Sequence, residues 1–377
     1  GGIVSLNDLT VHGNLKTISG GDPVINPSVS INNIDSLTKS IILQNTGGDQ
    51  TSYDITFSSD TICDILIIGG GGSGAQNTKA GAGAGGLVYI HNANITEGTY
   101  NILVGKGGAG GDGSSAYRSG VNGFNSTFDN IIALGGGGGY ARYTAGNYID
   151  GGSGGGGHTD NVNFPGISLQ HIENQNTSYT IYQYGNDGTS DIGMTGGGGG
   201  AGGQGYSQGV HPNVDIMGGV GLSEISETGI NIDFKTHFGI TNTSIGHHIN
   251  ENGTDKVYFA GGGSGSRQEY TGGITSGQKG GGGGSAHYTV YINDYPEVYD
   301  ALPNTGGGGG GTGNTNREGR GGGWGGSGIV IIRYLSSTET IIESYSDNKV
   351  ENVLANKGGA NITWNTGTKK FDCDVIN

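Results

Sequence analysis

Runs of consecutive glycine constrain this chain more than any other feature. They are Gly69–Gly72, Gly135–Gly139, Gly151–Gly157 (with Ser153 inside it), Gly196–Gly200, Gly261–Gly263, Gly280–Gly284, Gly306–Gly311 and Gly321–Gly323. Such runs do not form stable α-helices, because each interior glycine costs up to about 1 kcal/mol. Nor are they collagen, which needs glycine at every third position and abundant proline; this chain has six prolines. Glycine loses roughly 0.5–1 kcal/mol more than alanine on folding and brings no side chain to bury. The chain is therefore either a flexible polymer or a backbone packed on itself in a way only glycine permits.

The placement of the runs decides between these. Of the 86 glycines in 377 residues, 76 lie within 69–334, seven before and three after. The runs abut short apolar segments. Ile62–Ile68 ends at a glycine block, and Gly86–Ile90, Tyr100–Val104, Ile131–Leu134 and Gly328–Tyr334 read as strands in the same way. The continuous apolar run Ile329–Ile332 suggests a strand buried on both faces, whereas Tyr53–Phe57 alternates like a half-buried one. Flexible glycine linkers lack such borders. The tracts are expected to be extended threefold helices, three residues and about 9 Å per turn. Lying side by side, they would bond backbone to backbone. The expected fold class is all-β: a β-sandwich carrying an ordered polyglycine lattice.

Charge and cysteine content narrow the partners. A net charge of −15 opposes nucleic-acid binding, which needs a basic stripe. No run approaches 18 apolar residues, so no membrane insertion is expected. Cys63 and Cys373 are too few for a disulfide scaffold. Either they form one bridge tying the C-terminal segment to the core, or both are buried free thiols. The chain opens Gly1-Gly2 without a signal-peptide pattern, which reads as a processed product or a fragment.

Six blocks in order carry a resemblance. They are Ile65–Gly74 (ILIIGGGGSG), Ala82–Leu87 (AGAGGL), Gly98–Gly108 (GTYNILVGKGG), Gly123–Gly139 (GFNSTFDNIIALGGGGG), Asn304–Gly311 (NTGGGGGG) and Gly326–Tyr334 (GSGIVIIRY). Together they resemble the glycine-rich domain of viral, phage and bacterial surface proteins. A related architecture occurs in the extracellular region of anaplastic lymphoma kinase, and a similar lattice in the glycine-tipped adhesins of tailed phages. The resemblance implies a jelly-roll-like β-sandwich whose loops carry bundled polyglycine II helices. It also implies a place on fibres, adhesins or receptor ectodomains, extracellular or on a virion surface, rather than in enzymes. It covers about residues 40–334. Residues 1–39 read as an N-terminal β arm, with Ile3–Leu15 like a fibre-stem repeat. Residues 335–377 read as a C-terminal β arm or hairpin. Short β segments are not stable alone, so both arms are expected to pair with the sandwich or with a neighbouring subunit.

No catalytic, cofactor or metal site stands out. Ile67–Ala75 imitates a dinucleotide fingerprint, but Gln76–Gly86 cannot supply the helix that such a site needs. Gly105-Lys106 is followed by Gly107 rather than Ser or Thr, so it is no phosphate loop. Gly107–Asp112 starts like a calcium-binding nonapeptide but does not repeat. His247-His248 lacks metal-ligand spacing. Ice binding would need regular ranks of Thr or Ala, which are absent.

Tyrosine gives the better functional signal. The chain has 19, against 8 Phe and 2 Trp. They cluster between glycine runs as Tyr140, Tyr143 and Tyr148; Tyr179, Tyr182 and Tyr184; and Tyr288, Tyr291, Tyr295 and Tyr299. Such rings give rigid amphipathic contact surfaces, for a glycan or host receptor or for packing within and between subunits. Sequons stand at Asn94, Asn125, Asn176, Asn242, Asn252 and Asn361, about as many as chance gives a chain rich in Asn, Ser and Thr. Two functions are expected from these features. One is a structural fibre or filament subunit, a homo-oligomer (trimer or filament) joined through its β arms. The other is a receptor- or glycan-binding adhesin domain at a fibre tip.

Overall fold

The computed structural model describes residues 21–78, 80–111, 118–141, 149–158, 165–170, 178–190, 195–207, 216–265, 279–284, 299–312 and 321–336, together with the strand pairing of 15–17, 274–275, 285–286, 340–342, 361–365 and 370–374. In chain order the first strands are β1 (Leu15–Thr17), β2 (Val24–Asn26), β3 (Ile31–Asn33), β4 (Thr38–Gln44), β5 (Gln50–Phe57), β6 (Thr61–Ile68), β7 (Leu87–Ile95), β8 (Gly98–Gly105), β9 (Ser126–Phe128), β10 (Ile131–Ala133) and β11 (Thr180–Tyr184). Then come β12 (Glu224–Glu227), β13 (Ile230–Asp233), the single-turn helix α1 (Phe234–His237), β14 (His247–Glu251), β15 (Thr254–Tyr258), β16 (Ile274–Thr275), β17 (Ser285–Ala286), β18 (Ile329–Leu335), β19 (Thr340–Ile342), β20 (Asn361–Asn365) and β21 (Lys370–Asp374).

Two antiparallel sheets form a sandwich. One has the order β10-β9-β8-β5-β2 and the other β11-β7-β6-β18-β4-β3. Ile55, Phe57, Ile102 and Val104 from the first meet Leu43, Ile65, Ile67, Val88, Val330 and Ile332 from the second in one core. The alternation of Tyr53–Phe57 puts Tyr53, Ile55 and Phe57 into that core. The opposite face of the six-stranded sheet is buried too. Leu66, Ile68, Tyr89, Ile329 and Ile331 pack against Phe234, Phe238, Ile240, Val257 and Phe259 of an insert built from β12, β13, α1, β14 and β15. This double burial is why Ile329–Ile332 is apolar without alternation.

The glycine tracts leave and re-enter the sandwich at one end, and their hydrogen bonds repeat every three residues. Residues 69–76 show the rule. Gly69, Gly72 and Ala75 donate to Gly86, Gly83 and Ala80; Gly70, Ser73 and Gln76 donate to Phe124, Val121 and Arg118; Gly71 and Gly74 donate to Gly326 and Gly323, all at 2.8–3.0 Å. The tract accepts in the same rhythm: Gly70 and Ser73 from Gly136 and Gly139, Gly72 and Ala75 from Gly309 and Thr312, and Gly71 from Gly108. One backbone is thus enclosed by three tracts it donates to and three it accepts from. The ladder has a period of three residues, with the backbone groups of the tract pointing outward to its neighbours.

This packing excludes side chains. A Cβ on Gly71, Gly74 or Gly137 would lie under 3.0 Å from the carbonyl oxygen of Gly307, Gly310 or Ile149 respectively. Perimeter tracts need less glycine, because part of each turn faces away from the lattice. In residues 118–124 Gly120 and Gly123 bond to Gly139 and Gly136, while Val121 between them is exposed. Side chains also replace missing neighbours. Asn122 and Asn125 lie one turn apart and accept through Oδ1 from Gly138 and Gly135 at 2.9 and 2.8 Å.

The termini leave from the other end of the sandwich. There Leu335 pairs with Thr38, Ser336 N–H donates to Leu37, and Val24 pairs with Thr56. β2 and β3, within the expected N-terminal arm, pair with the sandwich as edge strands. β1 pairs with β19, so the two arms meet within one chain. β20 and β21 form a hairpin. Cys63 is a buried free thiol, so the Cys63–Cys373 bridge left open by the sequence is not formed. Its strand position directs it into the sandwich core.

Candidate functional site

The lattice has a proximal end at the strands and a distal end away from them. Gly69 follows β6 directly, whereas Gln76 bonds to Arg118, seven residues further out. The same ladder places Ala80, Tyr140, Gly157, Thr189, Gly196, Tyr206 and Thr312 at the distal level. Ala75 bonds to Ala80 and Thr312 to Ala75; Tyr140 bonds to Gly156, Gly157 to Thr189, Gly196 to Gly157 and Gly197 to Tyr206. Described tract ends from all along the sequence are therefore gathered at one distal face.

The tyrosines named from sequence fall in different places. Tyr140 is at the distal level and half-buried; its carbonyl accepts from Thr78 Oγ1 at 3.1 Å. Tyr179, Tyr182 and Tyr184 belong instead to the sandwich edge at and before β11. Tyr179 packs on the inter-sheet core, and Tyr182 and Tyr184 on the outer core. Tyr182 stacks on Tyr89 with centroids 6.3 Å apart, and Tyr184 Oη donates to Glu227 Oε1 at 2.9 Å. Burial, reinforced by that carboxylate, pushes the Tyr184 phenol pKa up. These three rings secure an edge strand, so removing them would loosen the fold as well as any contact surface. Tyr299 lies inside the lattice rather than on its surface. It is 2% exposed, and its carbonyl accepts from Gly310 inside the lattice. Tyr143, Tyr148, Tyr288, Tyr291 and Tyr295 lie outside the described residues.

The sequons are similarly divided. Asn94 is exposed on β7, and Asn252 is exposed in the β14–β15 turn with φ 52°. Asn242 is exposed and accepts through Oδ1 from Ser244 N–H at 3.0 Å. Asn125 is half-buried and engaged with Gly135. Asn176 lies outside the described residues, as does the Asn361 side chain in β20.

Sequence reasoning missed the densest polar cluster. A bulge between Cys63 and Ile65 in the β6–β7 pairing turns Asp64 toward the insert. Its carboxylate accepts from Tyr89 Oη at 3.1 Å, Asn92 N–H at 2.8 Å, His237 Nε2 at 3.0 Å and Arg333 Nη1 at 3.1 Å. Asp64 is 7% exposed. Burial alone would raise its pKa, but the hydrogen bonds from His237 and Asn92 and the charges of His237 and Arg333 outweigh it and hold it at about 2. Every partner is a donor to an ionised carboxylate, and the cluster lies where α1 meets the sheet. Its chemistry is that of a clamp between insert and sandwich. Among the described residues no group of His, Cys, Asp or Glu could hold a metal ion. No helix among them is long and apolar enough to cross a membrane.

The family of glycine-rich domains matches residues 46–335, from just after β4 to the last residue of β18. The chain belongs to this family. No curated protein matches it. The glycine-rich domain thus takes in the sandwich from β5 onward, all the lattice tracts and the insert, while β1 to β4 and β19 to β21 flank the match.

Proposed function

We propose that this glycine-rich domain is the receptor- or glycan-binding end module of an extracellular or virion-surface fibre. It is held at its base through the terminal segments and projects the lattice outward. The observation that carries this reading is polarity: the termini leave one end of the sandwich, and the tract ends are gathered at the far end of the lattice. In this reading the tracts are polyglycine II helices, supported by their three-residue ladder, and their task is stiffness. A lattice in which almost any side chain would collide with backbone resists bending and holds its distal face at a fixed distance.

The structural-subunit reading, a homo-oligomeric filament joined by strand exchange, has one observation against it. The β1–β19 pairing occupies both arms within one chain. A homo-oligomer joined side by side at the base is compatible with either reading. Imaging native particles by electron microscopy, with a gold label on a cysteine introduced at the exposed Gln204 in a Cys373→Ser background, tests the proposal. The label is expected at a free fibre end. A label buried between successive subunits would overturn it.

A further inference from the structure

We infer that the distal face carries a binding site for a neutral sugar ring, in a hollow walled by Thr189, Ser190, Gln204, Tyr206 and Ser207 beside Gly188 and Gly205. The inference deepens the proposed function by naming a ligand class. The hollow has a volume of about 370 Å³, at the small end of the range for ligand sites. The ladder fixes its position: Thr189 accepts from Gly157, Gly205 donates to Asp187, and Tyr206 accepts from Gly197, all within the distal layer.

Three features select the ligand. First, none of the described walls carries a charge, although the chain has 32 acidic and 17 basic residues. An anion or cation would find no countercharge there, so the ligand is neutral. Second, the walls offer hydroxyls at Ser190 and Ser207, an accepting hydroxyl at Thr189, whose Oγ1 donates to the Gly197 carbonyl at 3.4 Å, and an amide at Gln204. Each serine hydroxyl donates and accepts, and the amide does both through different atoms, which matches the adjacent hydroxyls of a pyranose. The half-buried Tyr206 ring supplies an apolar face for its C–H side. Third, Ser207 is 2% exposed, and its Oγ has no hydrogen-bond partner. A buried hydroxyl left unsatisfied is costly. A rotation about χ1 in the presence of a ligand would satisfy it. Gly188 and Gly205 are both buried in tracts that exclude side chains, so the backbone of these walls is held in place before a ligand arrives.

The test is saturation-transfer NMR and calorimetry on the full chain, with the methyl pyranosides of glucose, galactose, mannose and N-acetylglucosamine as probes. At least one is expected to bind. Ser207→Ala should weaken it about three- to tenfold, the usual worth of one hydrogen bond. It should not lower the melting temperature and should tend to raise it, because the hydroxyl has no partner to lose and its unsatisfied burial is relieved. Tyr206→Ala should abolish the signal, with near-UV circular dichroism reporting whether the lattice is intact. Four silent probes, or binding that survives both substitutions, would overturn the inference. Silent probes on a protein that imaging places at a fibre end sink the sugar site alone. A bound sugar on a protein buried in a filament wall sustains the site and sinks the end-module reading instead.

Discussion

His237 Nε2 donates to Asp64 Oδ2 at 3.0 Å, joining residues 173 positions apart. The bond ties α1 of the insert to the bulged centre of the six-stranded sheet, and Arg333 on β18 completes the charge balance from the neighbouring strand. Asp64→Ala leaves an arginine and a histidine facing a small apolar cavity. Removing one partner of a buried ion pair costs about 3–5 kcal/mol. Arg333 retains some solvent access, so a loss of about 3 kcal/mol is expected, read as a lower urea midpoint at unchanged slope. An unaltered midpoint would show that the insert does not depend on the clamp.

Acid should weaken the same clamp in a defined window. The folded pKa of Asp64 lies below the ordinary carboxylate value, at about 2. Its contribution is fully present above the unfolded pKa near 4 and is lost as pH falls through the folded one. A shift of this size corresponds to about 2 kcal/mol. Melting temperature should therefore fall between pH 4 and pH 2 in the native protein. The part of that fall due to Asp64 should vanish in Asp64→Asn. Equal acid slopes in the two proteins would contradict this.

The lattice sorts glycines by what a methyl group would meet. At Gly71 it meets the Gly307 carbonyl oxygen, and backbone on both sides blocks any retreat. Gly71→Ala is expected to cost 3 kcal/mol or more, above the usual ~1–3 kcal/mol of overpacking, because backbone rather than side chains must move. Gly203 faces only Val220 Cγ2 at 3.6 Å, an ordinary contact, so Gly203→Ala should change stability by less than about 0.5 kcal/mol. Thermal unfolding of the two variants separates them; similar melting temperatures would mean that the tracts yield.

Cys63 is fully buried in the inter-sheet core. Burial, and secondarily the charge of Asp64, pushes its thiol pKa up. It should resist iodoacetamide at pH 8 in the native protein and react completely in denaturant, as peptide mapping by mass spectrometry would show. A Cys63–Cys373 crosslinked peptide from the untreated protein would refute the free-thiol assignment.

What the sequence showed followed from repetition. Ile62–Ile68 and Ile329–Tyr334 announced central strands because both faces are buried, and the long runs announced lattice tracts because interior tracts tolerate almost only glycine. Perimeter tracts escaped notice. Residues 118–124 and 185–190 need glycine once per turn, at Gly120 and Gly123 and at Gly185 and Gly188, so they resemble ordinary loops. That three-residue spacing was the signal available. The Asp64 clamp was not legible, because nothing local marks a bulge or the pairing of Asp64 with a histidine 173 residues away. Tyrosine clustering alone did not distinguish positions, because the same ring serves an edge strand at Tyr182 and a lattice interior at Tyr299.

Asn122 and Asn125 offer the sharpest test of the perimeter. Each Oδ1 stands where a neighbouring tract's carbonyl would stand, accepting from Gly138 and Gly135. Replacing either with alanine leaves a buried N–H unsatisfied, at a cost of about 1–2 kcal/mol. Hydrogen exchange at Gly138 should accelerate about tenfold or more in Asn122→Ala, and at Gly135 in Asn125→Ala. The two sites are one turn apart, about 9 Å along the tract. Their effects should therefore add within about 0.5 kcal/mol in the double variant. A much larger combined loss would mean that residues 118–125 detach as a unit once both caps are gone. Unchanged exchange at Gly138 would remove the case for side-chain capping altogether.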